Sequence, residues 1–257
     1  MHRSPRVLAF TDARTVAREL AGRIGQALRD KPTLVLGLPT GRTPLLLYEE
    51  LVRLHQAGHA DFSRATTFNL DEFLGIRSDH PSSYRAFMHR YLFDHVNANP
   101  SRTNFLNGAA TDPVEECERY EREIDRAGGI DLQILGIGTN GHIGFNEPAA
   151  ELEARTHRVR LKPETRRSNA ALFDGDPEKV PAEALSMGMG TILQARKAVL
   201  IATGETKAHC VARLVNGPIT TMLPASFLQL HRDAEIFLDQ DAGKELEAGS
   251  WELGARS

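Results

Sequence analysis

Short apolar runs rich in valine, isoleucine and leucine alternate with helical periodicity along this chain of 257 residues. Residues 33 to 38 form one such run, and the leucines between 45 and 54 then recur at spacings of three and four. Further strands are predicted at residues 7–10, 65–70, 131–135, 197–201 and 235–238. Helices are predicted at about 12–29, after Pro44 and near 113–126, the last heavily charged and expected on the surface. The alternation predicts an α/β fold with an open, mostly parallel sheet and helices on both faces.

No internal repeat or low-complexity linker divides the sequence, so we expect a single Rossmann-like domain over residues 1 to 257. Residues 151 to 180 are the least regular part, rich in arginine, glutamate and proline with few apolar positions. We expect them to run over the surface. Loops of that length in compact domains often cover a ligand, so this segment is predicted to be a lid.

The formal net charge of −3 gives no electrostatic reason to expect nucleic acid or an anionic membrane as a partner. No apolar run approaches the roughly eighteen residues of a membrane span, and no apolar segment follows the first five residues. We therefore expect a cytoplasmic protein. Cys117 and Cys210 fall in predicted helices without metal-ligand spacing, which favours reduced structural thiols.

Three loops that carry polar or glycine residues follow predicted strands. They are residues 37–44, Asp71 with Glu72, and residues 136–148. In open parallel sheets, ligands bind beyond the carboxyl ends of the strands, where the strand order switches. The three loops are therefore expected to converge on one edge of the sheet.

Residues 37–44 read Gly-Leu-Pro-Thr-Gly-Arg-Thr-Pro and lead from a strand into a helix whose first turn is expected to hold Pro44. Backbone N–H groups and hydroxyls at a helix N-terminus bind anions. The alternative is a plain turn in which Thr43 caps the helix. The loop by itself does not decide between them, but it is not a Walker loop, because no Gly-Lys-Ser/Thr follows at the required spacing.

Gly136, Gly138 and Gly141 match the spacing of a dinucleotide-binding loop after a strand. A true dinucleotide loop opens a helix and meets an acidic residue about twenty positions later. Here Gly141 leads into His-Ile-Gly-Phe-Asn-Glu-Pro, and residues 156–162 read Thr-His-Arg-Val-Arg-Leu-Lys. The sequence context therefore argues against a dinucleotide site. The small residues from 138 to 144 instead favour close approach of the backbone to a ligand.

His142 and Glu147 lie five residues apart, close enough for the carboxylate to orient the imidazole as a general base requires. The alternatives are a surface histidine or a metal pair, and no third ligand at compatible spacing supports a metal. Asp71 and Glu72 follow a predicted strand. A carboxylate there can take a carbon-bound proton, ligate magnesium or cap a helix, and these readings stay open.

Taken together and in order, these segments resemble the glucosamine-6-phosphate deaminase family, also called glucosamine-6-phosphate isomerases. The likeness spans roughly residues 5 to 240, far more than a chance motif covers. The matching segments are Gly-Leu-Pro-Thr-Gly-x-Thr-Pro at 37–44, Phe-Asn-Leu-Asp-Glu-Phe at 68–73, His-Pro-x-Ser-Tyr at 80–84, Gly-Ile-Gly-x-Asn-Gly-His-Ile-Gly-Phe-Asn-Glu-Pro at 136–148 and Arg155-Thr156.

The resemblance implies conversion of glucosamine 6-phosphate and water into fructose 6-phosphate and ammonia, without a metal or other cofactor. It implies that His142, held by Glu147 and Asn140, opens the sugar ring, and that Asp71 is the base that acts at C2. Asn140 stands where some members carry an aspartate. An amide supplies hydrogen bonds but no charge, so we expect Asn140 to orient its neighbours.

For the phosphate, the resemblance implies the loop residues Thr40, Gly41 and Thr43 together with Lys207. The chain departs from the family in two places: Arg42 stands where a second glycine is usual, and Ala171 where an arginine helps to hold the phosphate. Either Arg42 contacts the phosphate and replaces the missing guanidinium, or it faces solvent and phosphate affinity is lower. A different amino-sugar phosphate as substrate also stays open.

Larger family members are hexamers activated by an N-acetylated sugar phosphate, with an aromatic residue from an extended C-terminus at the regulatory site. The last ten residues here do not match that extension, so we expect an unregulated enzyme, either a monomer or a homo-oligomer. Two rivals remain. A 6-phosphogluconolactonase shares the fold and needs no C2 base, and a sugar-phosphate-sensing regulator should carry a helix-turn-helix segment and a basic face, which this sequence does not show.

Overall fold

The computed structural model describes residues 5–247 and 249–254. The expectations about the first residues and the last ten residues of the sequence therefore lie partly outside the described residues. The strands are β1 (Arg6–Phe10), β2 (Val35–Leu38), β3 (Thr66–Asn69), β4 (Asp71–Phe73), β5 (Thr103–Asn104), β6 (Leu132–Gly136), β7 (His157–Arg160), β8 (Glu183–Ser186), β9 (Lys197–Ala202), β10 (Ala234–Asp239) and β11 (Glu252–Leu253). The helices are α1 (Ala13–Asp30), α2 (Leu45–Gln56), α3 (Tyr84–Tyr91), α4 (Pro113–Arg126), α5 (Pro163–Asn169), α6 (Met189–Leu193), α7 (Ala208–Asn216) and α8 (Gln240–Gly243). Within the described ranges, no helix is both long and apolar enough to cross a bilayer.

The main sheet has the strand order β11-β1-β10-β9-β6-β2-β3-β5 within the described residues, and all its strand pairs are parallel. The prediction of an open, mostly parallel sheet is therefore confirmed. Each of the six predicted strands is present with ends shifted by at most a few residues. α1 and α4 also form at the predicted positions.

Helices cover both faces of this sheet, as the sequence predicts. Successive residues of β1 point to opposite sides, so that Val7 belongs to one apolar core and Leu8 to the other. α1 and α2 pack on the side of Leu8, whereas α4, α6 and α7 pack on the side of Val7. Strands buried on both faces read as nearly continuous apolar runs, which is why they were visible in the sequence.

The strand order switches at β2. From β2 the chain continues through β3 and β5 toward one edge, and then returns to place β6 on the other side of β2. The βα connections after β2 and β6 therefore leave the sheet in opposite directions and open a crevice at its carboxyl edge. The loops at residues 39–44 and 137–148 stand on the two sides of this crevice.

A second, antiparallel sheet with the order β4-β8-β7 stands beside the carboxyl edge of the main sheet. Phe73, Tyr84, Phe145 and Phe173 pack together in a small separate core beneath it. The expectation of an irregular segment at residues 151–180 was therefore wrong in part. That segment contains β7, α5 and a 3-10 helix at Ala170–Leu172, and most of its apolar side chains enter this third core.

Two local expectations are corrected by the structure. α2 begins at Leu45, with Pro44 just before it and no side-chain hydrogen bond at the cap, so the alternative in which Thr43 caps the helix is wrong. α4 is not only a surface helix, because it buries Cys117 and Tyr120 against the main sheet. Cys117 and Cys210 are both buried free thiols.

Candidate active site

A cavity of about 260 Å³ lies at the carboxyl edge of the main sheet, at the switch in strand order. The structure brings six of the predicted site residues into its wall: Thr40, Arg42, Asp71, Asn140, His142 and Lys207. They come from the ends of four different strands, so only the folded sheet assembles them. Glu147 lies behind His142, and Gly41 and Thr43 do not face the cavity.

Asp71 is the first residue of β4, where it pairs with Ser186 of β8. Its side chain is buried and faces the cavity, and the hydroxyl of Thr40 donates to Oδ1 at 3.5 Å. Burial raises the pKa of Asp71 to about 8, with a further rise from the charge of Glu72, whereas the Thr40 hydrogen bond lowers it. A carboxyl group with such a pKa can take and return a proton near neutral pH.

Glu72 points the other way and caps α3. Its carboxylate accepts hydrogen bonds from the backbone N–H groups of Phe73, Tyr84 and Arg85 at 2.9, 2.9 and 3.0 Å. Burial raises its pKa to about 7, against the effect of these hydrogen bonds. Two of the roles left open for a carboxylate in this pair, helix capping and proton transfer, thus fall to different residues. Glu72 caps a helix, and Asp71 faces the ligand cavity.

His142 lies beside Glu147 and is hydrogen-bonded to Asn140 on its own loop. Its Nδ1 lies 3.8 Å from Oε2 of Glu147, and this nitrogen is buried without a hydrogen-bond partner. Asn140 donates to the same Oε2 at 3.0 Å and accepts from the backbone N–H of His142 at 3.1 Å. Asn140 therefore orients both groups, the role expected for an amide at this position.

Burial lowers the pKa of His142, while the charge of Glu147 raises it and the charges of Lys207 and Lys162 lower it. Burial dominates, because it removes water from the charged form. The imidazole is therefore neutral at neutral pH and able to accept a proton from a bound ligand.

The glycines of this loop make room for protein groups. A Cβ at Gly138 would lie 2.3 Å from Cε1 of His142, so the imidazole ring fills the space that a side chain would need. Gly141 has φ +86°, and a Cβ there would lie 2.1 Å from Cδ1 of Leu223. After Gly141 the chain forms a tight turn between Ile143 and Asn146 and no helix, which agrees with the absence of a dinucleotide loop.

Two cationic side chains line the cavity. Lys207 ends a short 3-10 helix after β9, and burial lowers the pKa of its ammonium. Arg42 lies in the loop before α2, is exposed, and makes no ion pair within the described ranges. Ala171 is exposed and stands outside the cavity wall.

The cavity wall also contains residues to which the sequence analysis assigned no role, among them Tyr84, Thr165 and Asn169. The buried hydroxyl of Tyr84 donates to Oδ1 of Asn169 at 2.9 Å, and the hydroxyl of Thr165 donates to Oε1 of Glu147. Tyr84 belongs to the His-Pro-x-Ser-Tyr segment, which was a usable signal. Thr165 and Asn169 lie in the segment without periodicity, where no signal was available.

Comparison with known proteins then places the chain. The sequence model of the family described as glucosamine-6-phosphate isomerases/6-phosphogluconolactonase matches residues 11–237. This chain belongs to that family. A glucosamine-6-phosphate deaminase from Hahella chejuensis is 49% identical over 242 residues, covering 94% of this chain and 92% of its own length. One from Rhodopirellula baltica is 50% identical over 236 residues, covering 92% and 94%.

Solved structures of the glucosamine-6-phosphate isomerase/6-phosphogluconolactonase family share the fold. A monomeric glucosamine-6-phosphate deaminase superposes with a TM-score of 0.89 at 41% identity, covering 93% of this chain and 99% of that one. The 6-phosphogluconolactonase of Trypanosoma cruzi superposes with a TM-score of 0.76 at 19% identity, covering 96% and 99%. At that identity, the lactonase likeness shows a common fold and nothing about the reaction.

Proposed function

We propose that this chain is a glucosamine-6-phosphate deaminase, which converts glucosamine 6-phosphate and water into fructose 6-phosphate and ammonia. The observation that carries the proposal is the shared cavity, because Asp71 and His142 both line it. Two cationic side chains stand in the same wall. The deaminases at 49 and 50% identity support the choice within the family.

The first step opens the sugar ring. The neutral imidazole of His142 takes the proton of the C1 hydroxyl, the bond between C1 and the ring oxygen breaks, and the ring oxygen receives a proton. The net change moves one proton between two oxygens of the sugar. Glu147 stabilises the imidazolium that forms in between, because its Oε2 lies 3.8 Å from Nδ1.

The second step isomerises the open-chain aldose. Asp71 removes the proton at C2, and the electron pair forms a C1–C2 double bond while the aldehyde oxygen takes up a proton. The C2 amino group has by then given its extra proton to water. When Asp71 returns its proton to C1, the nitrogen lone pair forms a C2–N double bond. Before this step, the ammonium of the bound sugar favours the ionised carboxylate of Asp71, which burial otherwise opposes.

The last step releases ammonia. Water adds to C2 of the iminium, and one proton of that water moves to the nitrogen. The C2–N bond then breaks to release ammonia, and the remaining hydroxyl at C2 loses its proton to become the ketone. The ketone at C2 is that of fructose 6-phosphate. His142 and Asp71, both in the wall, are the groups that move protons to and from the leaving nitrogen and the attacking water.

Arg42 and Lys207 together are proposed to hold the phosphate. Both line the cavity, and Arg42 has no carboxylate partner in the described part of the chain that would compete with a phosphate. A guanidinium binds phosphate with two parallel hydrogen bonds. The arginine in the loop before α2 thus replaces the one that the family has where Ala171 stands.

Residues 151–180 are proposed to act as a lid. The support is that α5 supplies Thr165 and Asn169 to the cavity wall, while most apolar side chains of the segment pack in the small third core. The solved deaminase described as monomeric supports the view that one chain suffices for the reaction.

The test is an assay of the purified chain with glucosamine 6-phosphate in which ammonia and fructose 6-phosphate are both measured. Equal amounts of the two products are expected. The same preparation is given 6-phosphogluconolactone, and its hydrolysis without ammonia release from the amino sugar would point to the lactonase instead. Binding of glucosamine 6-phosphate without turnover of either compound would point to a sensing role.

A further inference from the structure

The carboxylate of Glu147 is held at both of its oxygens. Oε2 accepts from Asn140, which belongs to the same loop, and Oε1 accepts from the hydroxyl of Thr165. Thr165 lies eighteen residues farther along the chain, in the first half of α5. The catalytic loop is thus joined to the proposed lid segment by a hydrogen bond to the group that supports His142.

The hydroxyl of Thr165 donates a hydrogen bond to a residue of the neighbouring loop and not to a carbonyl of its own helix. Threonine in a helix often bonds a carbonyl one turn back. Here Oγ1 donates to Glu147, and the backbone oxygen of Thr165 accepts from Ser168 and Asn169. Because an ionised carboxylate only accepts hydrogen bonds, the hydroxyl proton must point at Glu147.

Thr165 and Asn169 are four residues apart and so lie on the same face of α5. Asn169 accepts from the hydroxyl of Tyr84 at 2.9 Å, and Thr165 is buried. This face of α5 is therefore fixed against the cavity wall at two points. The position of the Thr165 hydroxyl is set by the packing of the helix and not by a mobile side chain.

We propose that Thr165 is a positioning residue for the acid–base pair: its hydroxyl holds Glu147 in the rotamer that turns Oε2 toward Nδ1 of His142. Without this donor, Oε1 is left buried and unpaired, and the carboxylate must turn to find another partner. The distance between Glu147 and the imidazole then changes, although neither residue has been altered. The effect of Thr165 on catalysis rests on the proposed function, but its effect on His142 does not.

Thr165→Val removes the hydroxyl and keeps the shape, and Thr165→Ser keeps the hydroxyl. With glucosamine 6-phosphate, we expect kcat of the valine variant to fall roughly tenfold, the loss typical of a partner that orients a functional group. KM should stay within about twofold, because the hydroxyl that is removed donates to Glu147 and is not free to bind the substrate. The serine variant should recover kcat. Thr103→Val, whose hydroxyl bonds Pro100 far from the cavity, is the matched control.

A second readout does not depend on turnover. The imidazole of His142 is titrated by NMR in ¹⁵N-histidine-labelled protein, with its signals assigned by their loss in His142→Gln. Because the charge of Glu147 raises the pKa of His142, we expect a lower pKa in Thr165→Val and the original value in Thr165→Ser. If wild-type protein releases no ammonia, the proposed function fails while this titration still decides the role of Thr165.

An unchanged His142 titration in a folded Thr165→Val protein would overturn the inference. So would equal losses of kcat and thermal stability in the valine and serine variants, since a purely structural role predicts no recovery by serine. Recovery by serine together with the shifted titration supports it.

Discussion

The imidazole of His142 lies directly over Gly138, so close that a Cβ at residue 138 would come within 2.3 Å of Cε1. A glycine four residues before the histidine therefore determines where the proposed acid–base group stands. The sequence analysis expected the glycine to make room for a ligand, whereas in the structure the side chain of His142 fills that room.

Gly138→Ala should displace the imidazole and lower kcat by roughly a hundredfold, the lower range of what a general base contributes. The fold should persist, because Gly138 lies in a loop at the cavity and outside the apolar cores. Gly22→Ala on the exposed side of α1, where a Cβ meets nothing within 4 Å, is the control. Wild-type kcat in Gly138→Ala would mean that the ring can move without loss and that its position is not critical.

The pH profile should reveal the ionisation of Asp71. Its pKa is raised to about 8, and only the ionised carboxylate can take the C2 proton, so kcat/KM should rise with pH, pass its midpoint near pH 8 and level off above it. In kcat, which reports the substrate complex, the same limb should lie at lower pH, because the substrate ammonium favours the ionised form. The ionisation of the free substrate is measured in parallel. Superimposable limbs in the two profiles would contradict this assignment.

Loss of the Asp71 charge should stabilise the fold. An ordinary aspartate has a pKa of 3.8, so folding opposes ionisation of Asp71 and its charge lowers stability increasingly as pH rises from about 4 to about 8. Asp71→Asn should therefore raise the free energy of unfolding at pH 8, on the order of 1–3 kcal/mol, and by less at pH 5. A gain that is the same at both pH values would contradict the assigned burial effect.

Glu72→Gln should lower the free energy of unfolding at pH 5, by roughly 1–3 kcal/mol, because an amide cannot accept all the hydrogen bonds that the carboxyl group accepts from the start of α3. At pH 8 the loss should be smaller, because the variant also removes a buried charge whose pKa is raised to about 7. Its kcat should stay close to wild type. The limb of kcat/KM assigned to Asp71 should move to lower pH, since the charge of Glu72 helps to raise that pKa. Denaturant unfolding and a pH profile check both statements, and an abolished kcat in folded protein would place Glu72 in the chemistry.

Arg42→Gly tests the proposed phosphate contact. Loss of a guanidinium that pairs with phosphate should raise KM for glucosamine 6-phosphate by roughly ten- to a hundredfold, with a smaller change in kcat. Arg64→Gly, at an exposed turn before β3, is the matched control. An unchanged KM in Arg42→Gly would show that this side chain faces solvent and does not replace the missing arginine.

The main sheet could be predicted because its strands are buried on both faces and therefore leave continuous apolar runs. The second sheet could not. β7 reads His-Arg-Val-Arg, an edge strand whose partner β8 lies more than twenty residues away, and nothing local identifies it. Its existence depends on tertiary pairing, which also explains why the third core under residues 151–180 was missed.

The same distinction applies to the cavity. Asp71, His142 and Arg42 follow predicted strands, so the rule for parallel sheets was enough to expect them together. Which carboxylate of the Asp71-Glu72 pair faces the cavity depends on the start of α3, twelve residues later. The contact of Thr165 with Glu147 depends on how α5 packs, and no spacing along the chain encodes it.

The most direct test of Asp71 as the C2 base is the rate at which Asp71→Asn releases ammonia from glucosamine 6-phosphate, compared with wild type. The rise in melting temperature on addition of the same sugar phosphate shows whether the variant still binds it. We expect a rate at least about a hundredfold below wild type, because the C2 proton has lost its base, while the ligand still raises the melting temperature. Ammonia release by Asp71→Asn at close to the wild-type rate would show that Asp71 is not this base.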